Sequence, residues 1–374
     1  MDFDLSDDQR LLKDSVDRLV ADIYGFEQRK ALLASSDGWS RENWAKFAEL
    51  GLLGANFAEQ HNGFGGGAVE TMLIAQAFGR GLVVEPYLAT VTLAGGLLRH
   101  CGVASLQDEY LPRIAAGEVT MCFAHHERLA RYNQDYVSVS ATRAGDGWQI
   151  NGEKSLVLHG ATADKIIVSA RISGAVTDAG GIGLFLVDAA GLQRRGYATQ
   201  DGQRAAEISF SATPAEAVLS LDAHGVIAQT IDEASAFLCA EAVGAMEDMH
   251  ATTIDYMKTR KQFGRAIGEF QVLQHRAVDM LVELEQARSM SLYATMMSSE
   301  TDAAERSRAI SAARVQIGTS SRKLGQEAIQ LHGGIAMTME YKVGHYFKRL
   351  TMIEKTFGDT ESHRARLVAA GTAF

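Results

Sequence analysis

The densest chemistry in the chain lies in Thr259-Arg260-Lys261-Gln262-Phe263-Gly264-Arg265-Ala266-Ile267-Gly268-Glu269-Phe270-Gln271. Arg260 and Lys261 stand beside an amide, Gln262, and a ring, Phe263. That mixture suits a pyrophosphate joined to a flat heteroaromatic system. The basic pair alone equally fits a helix turn with solvated charges, and Gly264 and Gly268 suffice for a short connection. A second segment, Gln330-Leu331-His332-Gly333-Gly334-Ile335-Ala336-Met337-Thr338-Met339-Glu340-Tyr341, places a double glycine at the end of a helical pattern. There it is either a C-cap or a place where a ligand approaches the backbone closely. A third, Ile150-Asn151-Gly152-Glu153-Lys154, reads as a tight Asn-Gly turn between strands.

The elements that must position these segments follow from periodicity. Ser6, with Asp7, Asp8 and Gln9 behind it, predicts an N-cap and an acidic first turn. Leu11, Leu12, Val16, Leu19 and Val20 then recur at helical spacing. Further helical patterns cover 44–50, 69–79, 90–100 and 105–117. From about residue 118 the texture becomes strand-like. Met121–Ala124 is a short apolar run, and Tyr136–Thr142 alternates with period two. Gly145-Asp146-Gly147 turns the chain back into Trp148-Gln149-Ile150. Lys165–Ala170, Ile182–Val187, Glu207–Phe210 and Ala217–Leu219 read as further strands. Long helical patterns return over 229–259, 272–297 and 303–332, and helices of that length bury their faces in a bundle. The expectation is a mainly α chain with a central β domain, divided as 1–117, 118–222 and 223–374.

In this order and spacing the three segments resemble the acyl-CoA dehydrogenase family over essentially the whole chain. The opening Met1-Asp2-Phe3-Asp4-Leu5 and Gly51-Leu52-Leu53-Gly54 fit it too. Lys258–Gly264, Gly344-His345-Tyr346-Phe347-Lys348-Arg349-Leu350 and Phe357-Gly358-Asp359 look closest to the small subunit of pimeloyl-CoA-type dehydrogenases, which can be heteromeric. The resemblance implies a fold of N-terminal helices, a middle β-barrel-like domain and a C-terminal four-helix bundle. It implies FAD as cofactor and an acyl-CoA thioester as substrate. In the implied chemistry a carboxylate removes the α-proton while flavin N5 accepts a hydride from Cβ. Arg260, Gln262 and Phe263 would contact the FAD pyrophosphate and adenosine across a subunit interface. Gln330, Gly333 and Gly334 would receive the adenosine half, and Thr360 would lie near the flavin. The implied partners are an electron-transfer flavoprotein as acceptor and either a second copy or a larger homologue in a heterotetramer.

The chain departs from that family at its chemistry. One usual base is the Glu of a Tyr-Glu-Gly-Thr segment, and Gly358 stands in its place. The other lies early in the long helix before Arg260, where the chain has Ala234. Glu241 sits two turns further along that face among apolar neighbours, Leu238 to Gly244, where burial would raise its pKa toward that of a base. A salt bridge is the other reading of Glu241. Asp359 is the second candidate, with a helix cap as its alternative. The family's Thr-Glu pair and Trp-Ile-Thr segment correspond to His125-His126-Glu127 and Leu156-Val157-Leu158. His126 could replace one lost donor, with a solvated or structural histidine as its other reading. The expected function is a dehydrogenase using Glu241, with a partner subunit completing a neighbour's FAD site as the alternative.

Composition sets the outer limits. A net charge of −10 excludes a general nucleic-acid binder. Cys101, Cys122 and Cys239, scattered without a CxxC pair, predict neither a disulfide framework nor a metal site. The acidic start lacks a signal-peptide pattern, and no apolar run has membrane-spanning length, so a cytoplasmic setting is expected.

Overall fold

Ser6 caps the first helix as its sequence predicts: its hydroxyl accepts from Gln9 N and the Gln9 side chain answers at Ser6 N, a closed capping box. The structure is a computed structural model that describes residues 4–371. Met1, Asp2 and Phe3, part of the family-like opening, lie outside the described residues. The helical part opens with α1 (Asp7–Ile23), α2 (Phe26–Ala34), α3 (Arg41–Glu49), α4 (Ala68–Gly81), α5 (Gly95–Cys101) and α6 (Ala104–Ala115). A π-helix, Leu88–Ala94, leads directly into α5, so the single helix expected over 90–100 is two joined types. Eight strands follow: β1 (Met121–Ala124), β2 (Ser140–Ala144), β3 (Gly147–Leu158), β4 (Lys165–Arg171), β5 (Ile182–Asp188), β6 (Gln193–Ala198), β7 (Arg204–Pro214) and β8 (Ala217–Ser220). Then come α7 (His224–Thr259), the short strands β9 (Lys261–Gln262) and β10 (Arg265–Ala266), α8 (Gln271–Met297), α9 (Ala303–His332), α10 (Lys342–Lys355) and α11 (Thr360–Ala369).

Contacts divide the chain into two compact units. One comprises residues 32–67 and 84–234 and holds the sheet, in strand order β6-β7-β3-β2-β4-β5-β8, with β1 parallel to β4 off that path. Its core is the inward set of these strands, including Cys122, Ile150, Ile166, Val168, Phe185 and Ile208, all below 2% exposed. The alternating pattern that predicts a strand over 136–142 yields regular pairing only from Ser140. The backbone N–H groups of Ser138 and Val139 instead donate to the Glu127 carboxylate, at 2.9 and 3.0 Å. A charged acceptor has replaced a ladder partner. The Asn151-Gly152 turn is also corrected: both residues lie inside β3, where its register against β7 shifts between Ile150 and Gly152. Gly152 takes φ +129 and Asn151 Oδ1 accepts from Ala212 N at 2.7 Å, so Asn-Gly here makes a β-bulge.

The other unit comprises residues 1–31, 68–83 and 235–374, and is a helical bundle of α1, α4, most of α7 and α8–α11. Helices α4 and α7 meet backbone to backbone. A Cβ on Gly79 would collide with Glu241 O, and one on Gly244 with Gln76 O. Ridges-into-grooves packing cannot bring two helices this close unless the crossing carries no side chains.

Candidate functional site: an exposed cationic hairpin and an aromatic stack

Helix α7 ends at Thr259, and the chain reverses in a two-stranded hairpin that pairs Gln262 with Arg265 and Lys261 with Ala266. Phe263 and Gly264 both have positive φ, 53° and 83°, the geometry of a type I′ turn. The short connection expected between two bundle helices is therefore a two-stranded hairpin. It carries Phe263 at 92% exposure. The Arg260 and Lys261 side chains join no ion pair with the described residues, and Arg265 only stacks on Phe270, 4.2 Å from its ring centre. Unpaired cations clustered on an acidic chain form a donor set that fits a diphosphate.

The structure ties this hairpin to the double glycine. The backbone N–H of Arg260 donates to Tyr256 O at 2.8 Å, and the Tyr256 hydroxyl donates to His332 O at 3.3 Å. The Tyr256 and His332 rings stack with centroids 4.4 Å apart, and Tyr341 closes on His332 at 5.1 Å. His332 is 4% exposed; Nδ1 donates to Ala328 O at 2.9 Å, while the buried Nε2 has no partner. Burial lowers its pKa, so the ring is neutral. Gly333 and Gly334 lie exposed, with no atom within 4 Å of where a Cβ would sit, and Gln330 is exposed one turn earlier. Arg260, Gln262, Phe263, Gln330, Gly333 and Gly334 thus belong to one region of one unit. The link through Tyr256 and His332 escaped sequence reading, although Tyr256 stands one helical turn before Arg260. Open glycines, exposed cations and an exposed ring together fit the adenosine diphosphate half of FAD.

In the sheet unit, His126 keeps Nε2 3.2 Å from Arg131 O, leaving the buried Nδ1 without a partner. Around it Lys154 is fully buried and spends its three donors on His125 O, Glu127 Oε1 and Ser169 Oγ, at 3.0, 2.8 and 3.0 Å. Burial pulls the Lys154 ammonium down to about 8 against the pull of Glu127. Burial would raise Glu127, but Lys154 and the Ser138 and Val139 donors outweigh it and hold the carboxyl below its usual range. His125 stacks on Phe123 at 5.2 Å and places Nδ1 2.8 Å from Ser169 Oγ. Burial, with Lys154 nearby, drops its pKa to about 3. The network is internally satisfied and locks β1 to β3 and β4. Leu156 and Leu158 bring no hydrogen-bonding side chain, so His126 is what remains to meet a flavin ring.

The base candidates separate clearly. Glu241 is not a lone carboxylate among apolar residues. Arg349 of α10 grips it bidentately, Nε to Oε1 at 2.6 Å and a terminal nitrogen to Oε2 at 2.7 Å, with side-chain exposures of 4% and 9%. The partner lies 108 residues away, beyond the reach of any local pattern. Ala234 is fully buried. Glu233 beside it is held by Arg99 at 2.9 Å and His100 at 2.7 Å. Asp359 caps α11, accepting from Ser362 N at 2.8 Å. Thr360 is 4% exposed and its N–H and hydroxyl both donate to Glu354, at 3.0 and 2.9 Å. No helix of the described residues is long and apolar enough to cross a membrane, and among them no His, Cys, Asp and Glu cluster could hold a metal.

Three domain models match this chain: acyl-CoA dehydrogenase N-terminal domain over residues 6–118, middle domain over 122–213 and C-terminal domain over 224–372. The mouse (Mus musculus) mitochondrial long-chain specific acyl-CoA dehydrogenase is 28% identical over 354 residues, covering 88% of this chain and 79% of its own. Among solved structures, a variant of the Tcur3481–Tcur3483 steroid acyl-CoA dehydrogenase superposes with a TM-score of 0.87 at 26% identity, covering 97% of each chain. The FAD complex of PigA superposes at 0.88 with 25% identity, covering 100% of both. Matched in all three of its domains, in order and over nearly its full length, the chain belongs to the acyl-CoA dehydrogenase family of FAD-dependent oxidoreductases.

Proposed function

We propose that this chain is a subunit of a heteromeric, FAD-dependent acyl-CoA dehydrogenase, offering its hairpin and double glycine to the cofactor while another chain supplies the proton-abstracting carboxylate. The observation that carries this reading is the state of the three base positions. Gly358 and Ala234 have no carboxylate, and Glu241 is neutralised by Arg349. Pulling Glu241 away from Arg349 to take a proton would break a buried, bidentate ion pair, at about 3–5 kcal/mol.

FAD, when bound, supplies the hydride acceptor for α,β-dehydrogenation of the thioester. Arg260, Lys261 and Gln262 would hold its diphosphate by charge-assisted hydrogen bonds, Phe263 would pack on its adenosine, and Gly333-Gly334 would let the backbone approach. The Tyr256–His332 stack keeps these two parts in register. In the sheet unit, His126 Nδ1 is a ring nitrogen without a partner among the described residues, and a small turn of the ring would offer it to the isoalloxazine. The steroid enzyme noted above bears the names of two chains, which favours a heteromer. An electron-transfer flavoprotein is the acceptor this reading expects.

A visible spectrum taken before and after anaerobic addition of an acyl-CoA panel tests the proposal. The chain purified alone should show no bleaching of flavin absorbance. Co-purified with a larger homologue it should carry flavin that one thioester bleaches. Bleaching by the chain alone, abolished by Glu241→Gln, would return Glu241 to the role of base and end the heteromeric reading.

A further inference from the structure

The turn between α10 and α11 is built around its glycine far more tightly than a missing carboxylate requires. Phe357 and Gly358 take φ +61° and +131° in succession, a backbone that L side chains rarely adopt. One face of α9 is given over to holding this turn. Arg314, 4% exposed, donates to Ile353 O and Thr356 O at 2.7 Å and to Gly358 O at 3.1 Å. One helical turn along, Gly318 leaves room for Thr360, whose hydroxyl a Cβ there would strike. On the same face Ser311 Oγ meets His363 Nδ1 at 3.2 Å. His363 is 2% exposed, and its buried Nε2 has no partner among the described residues. A Cβ on Gly358 would stand 2.8 Å from that nitrogen and 2.9 Å from Ser362 Oγ. Real Cβ atoms do not come so close, so the ring would have to move. It is enclosed on all sides and tied to α9, so a move displaces the core rather than a free rotamer.

We propose that His363 is the sealing residue of this turn: its imidazole fills the volume that any side chain at position 358 would need, so a base cannot be restored by changing position 358 alone. The inference rests on the reading of Gly358 as the vacated base position, and it adds that the vacancy is closed by the fold. Burial, with Arg314 and Arg366 nearby, holds the His363 pKa far below its usual range, which keeps the ring neutral and unfit to act as a base itself. The orphaned Nε2 is consistent with a residue kept for its shape, since leaving a buried nitrogen unpaired is itself destabilising.

The test is a thermal double-mutant cycle on the full chain with Gly358→Ala, His363→Ala and both. If His363 seals the turn, Gly358→Ala lowers Tm by at least about 2 °C less in the His363→Ala background than in the wild-type one. Additive losses overturn the proposal. A second pair, Gly358→Glu with and without His363→Ala, is loaded with FAD and incubated in D2O with butyryl-CoA and octanoyl-CoA while α-deuterium uptake is followed. Uptake in the double variant only supports both the seal and the base position. Uptake in Gly358→Glu alone overturns the seal. Thermal coupling without uptake in either keeps the seal and withdraws the identification of position 358 as the base position.

Discussion

Glu241 shows how a carboxylate can be located in sequence while its partner cannot: the ion pair with Arg349 spans 108 residues. Its apolar neighbours mark a buried stretch, but the cation that makes the burial tolerable comes from a different helix. Arg349→Ala should therefore destabilise the protein by about 3–5 kcal/mol in urea unfolding, because it strands a buried carboxylate. Glu241→Gln combined with Arg349→Met should cost less than Arg349→Ala, since no charge is left alone. Histidines make the second prediction at this scale. Burial lowers the pKa of His125 to about 3 and also lowers His332, His345 and His363. Each is neutral when folded but takes a proton near pH 6.5 when unfolded. Their contribution is therefore complete above about 6.5 and drains away as pH falls toward the folded values. Stability measured from pH 7 to 4 should fall with acid, and His125→Gln should make that slope shallower. An unchanged slope would remove His125 from the account.

Among elements, the long helices were legible because three or more turns of periodic apolar residues leave little ambiguity. The hairpin β9–β10 was not. Two-residue strands carry no periodicity, and Phe263 is an unusual occupant of a type I′ turn, which favours Asn. Phe263→Asn should leave Tm unchanged or raise it, yet lower the FAD retained per chain after gel filtration of the assembled protein. Arg260→Ala should weaken FAD binding by about 10–100-fold, the worth of one charge-assisted hydrogen bond, with the loss shrinking at high salt. Equal FAD retention in both variants would show that the hairpin does not touch the cofactor. The Asn-Gly bulge in β3 and the late start of β2 were missed for a shared reason: each depends on a partner in another segment, Ala212 in one case and Glu127 in the other.

At the scale of the whole molecule, the family is readable from motif order, and so are the missing carboxylates at Gly358 and Ala234; that Glu241 is already engaged is not, because Arg349 comes from a distant helix. Exposed apolar residues give that scale its own prediction. Helix α8 leaves Val278, Leu281 and Val282 at 57%, 42% and 49% exposure, on adjacent positions of one helical face. Val278→Glu with Val282→Glu should shift the protein to a smaller species in size-exclusion chromatography without lowering the Tm of the separated chain. An unchanged elution volume would place the assembly surface elsewhere.

The glycine crossing of α4 and α7 bears on the mechanics of the chain. With backbone set against backbone, turning α7 about its axis would drive a side chain into a carbonyl, so the helix is clamped in torsion as well as in position. The hairpin begins about four helical turns beyond Gly244, roughly 24 Å along a rigid rod. Its heading is set at the clamp, as the bearing of a shaft sets the direction of an arm fixed to its end. A bulky residue at Gly79 or Gly244 would swing Arg260 and Phe263 to a new heading without touching either of them.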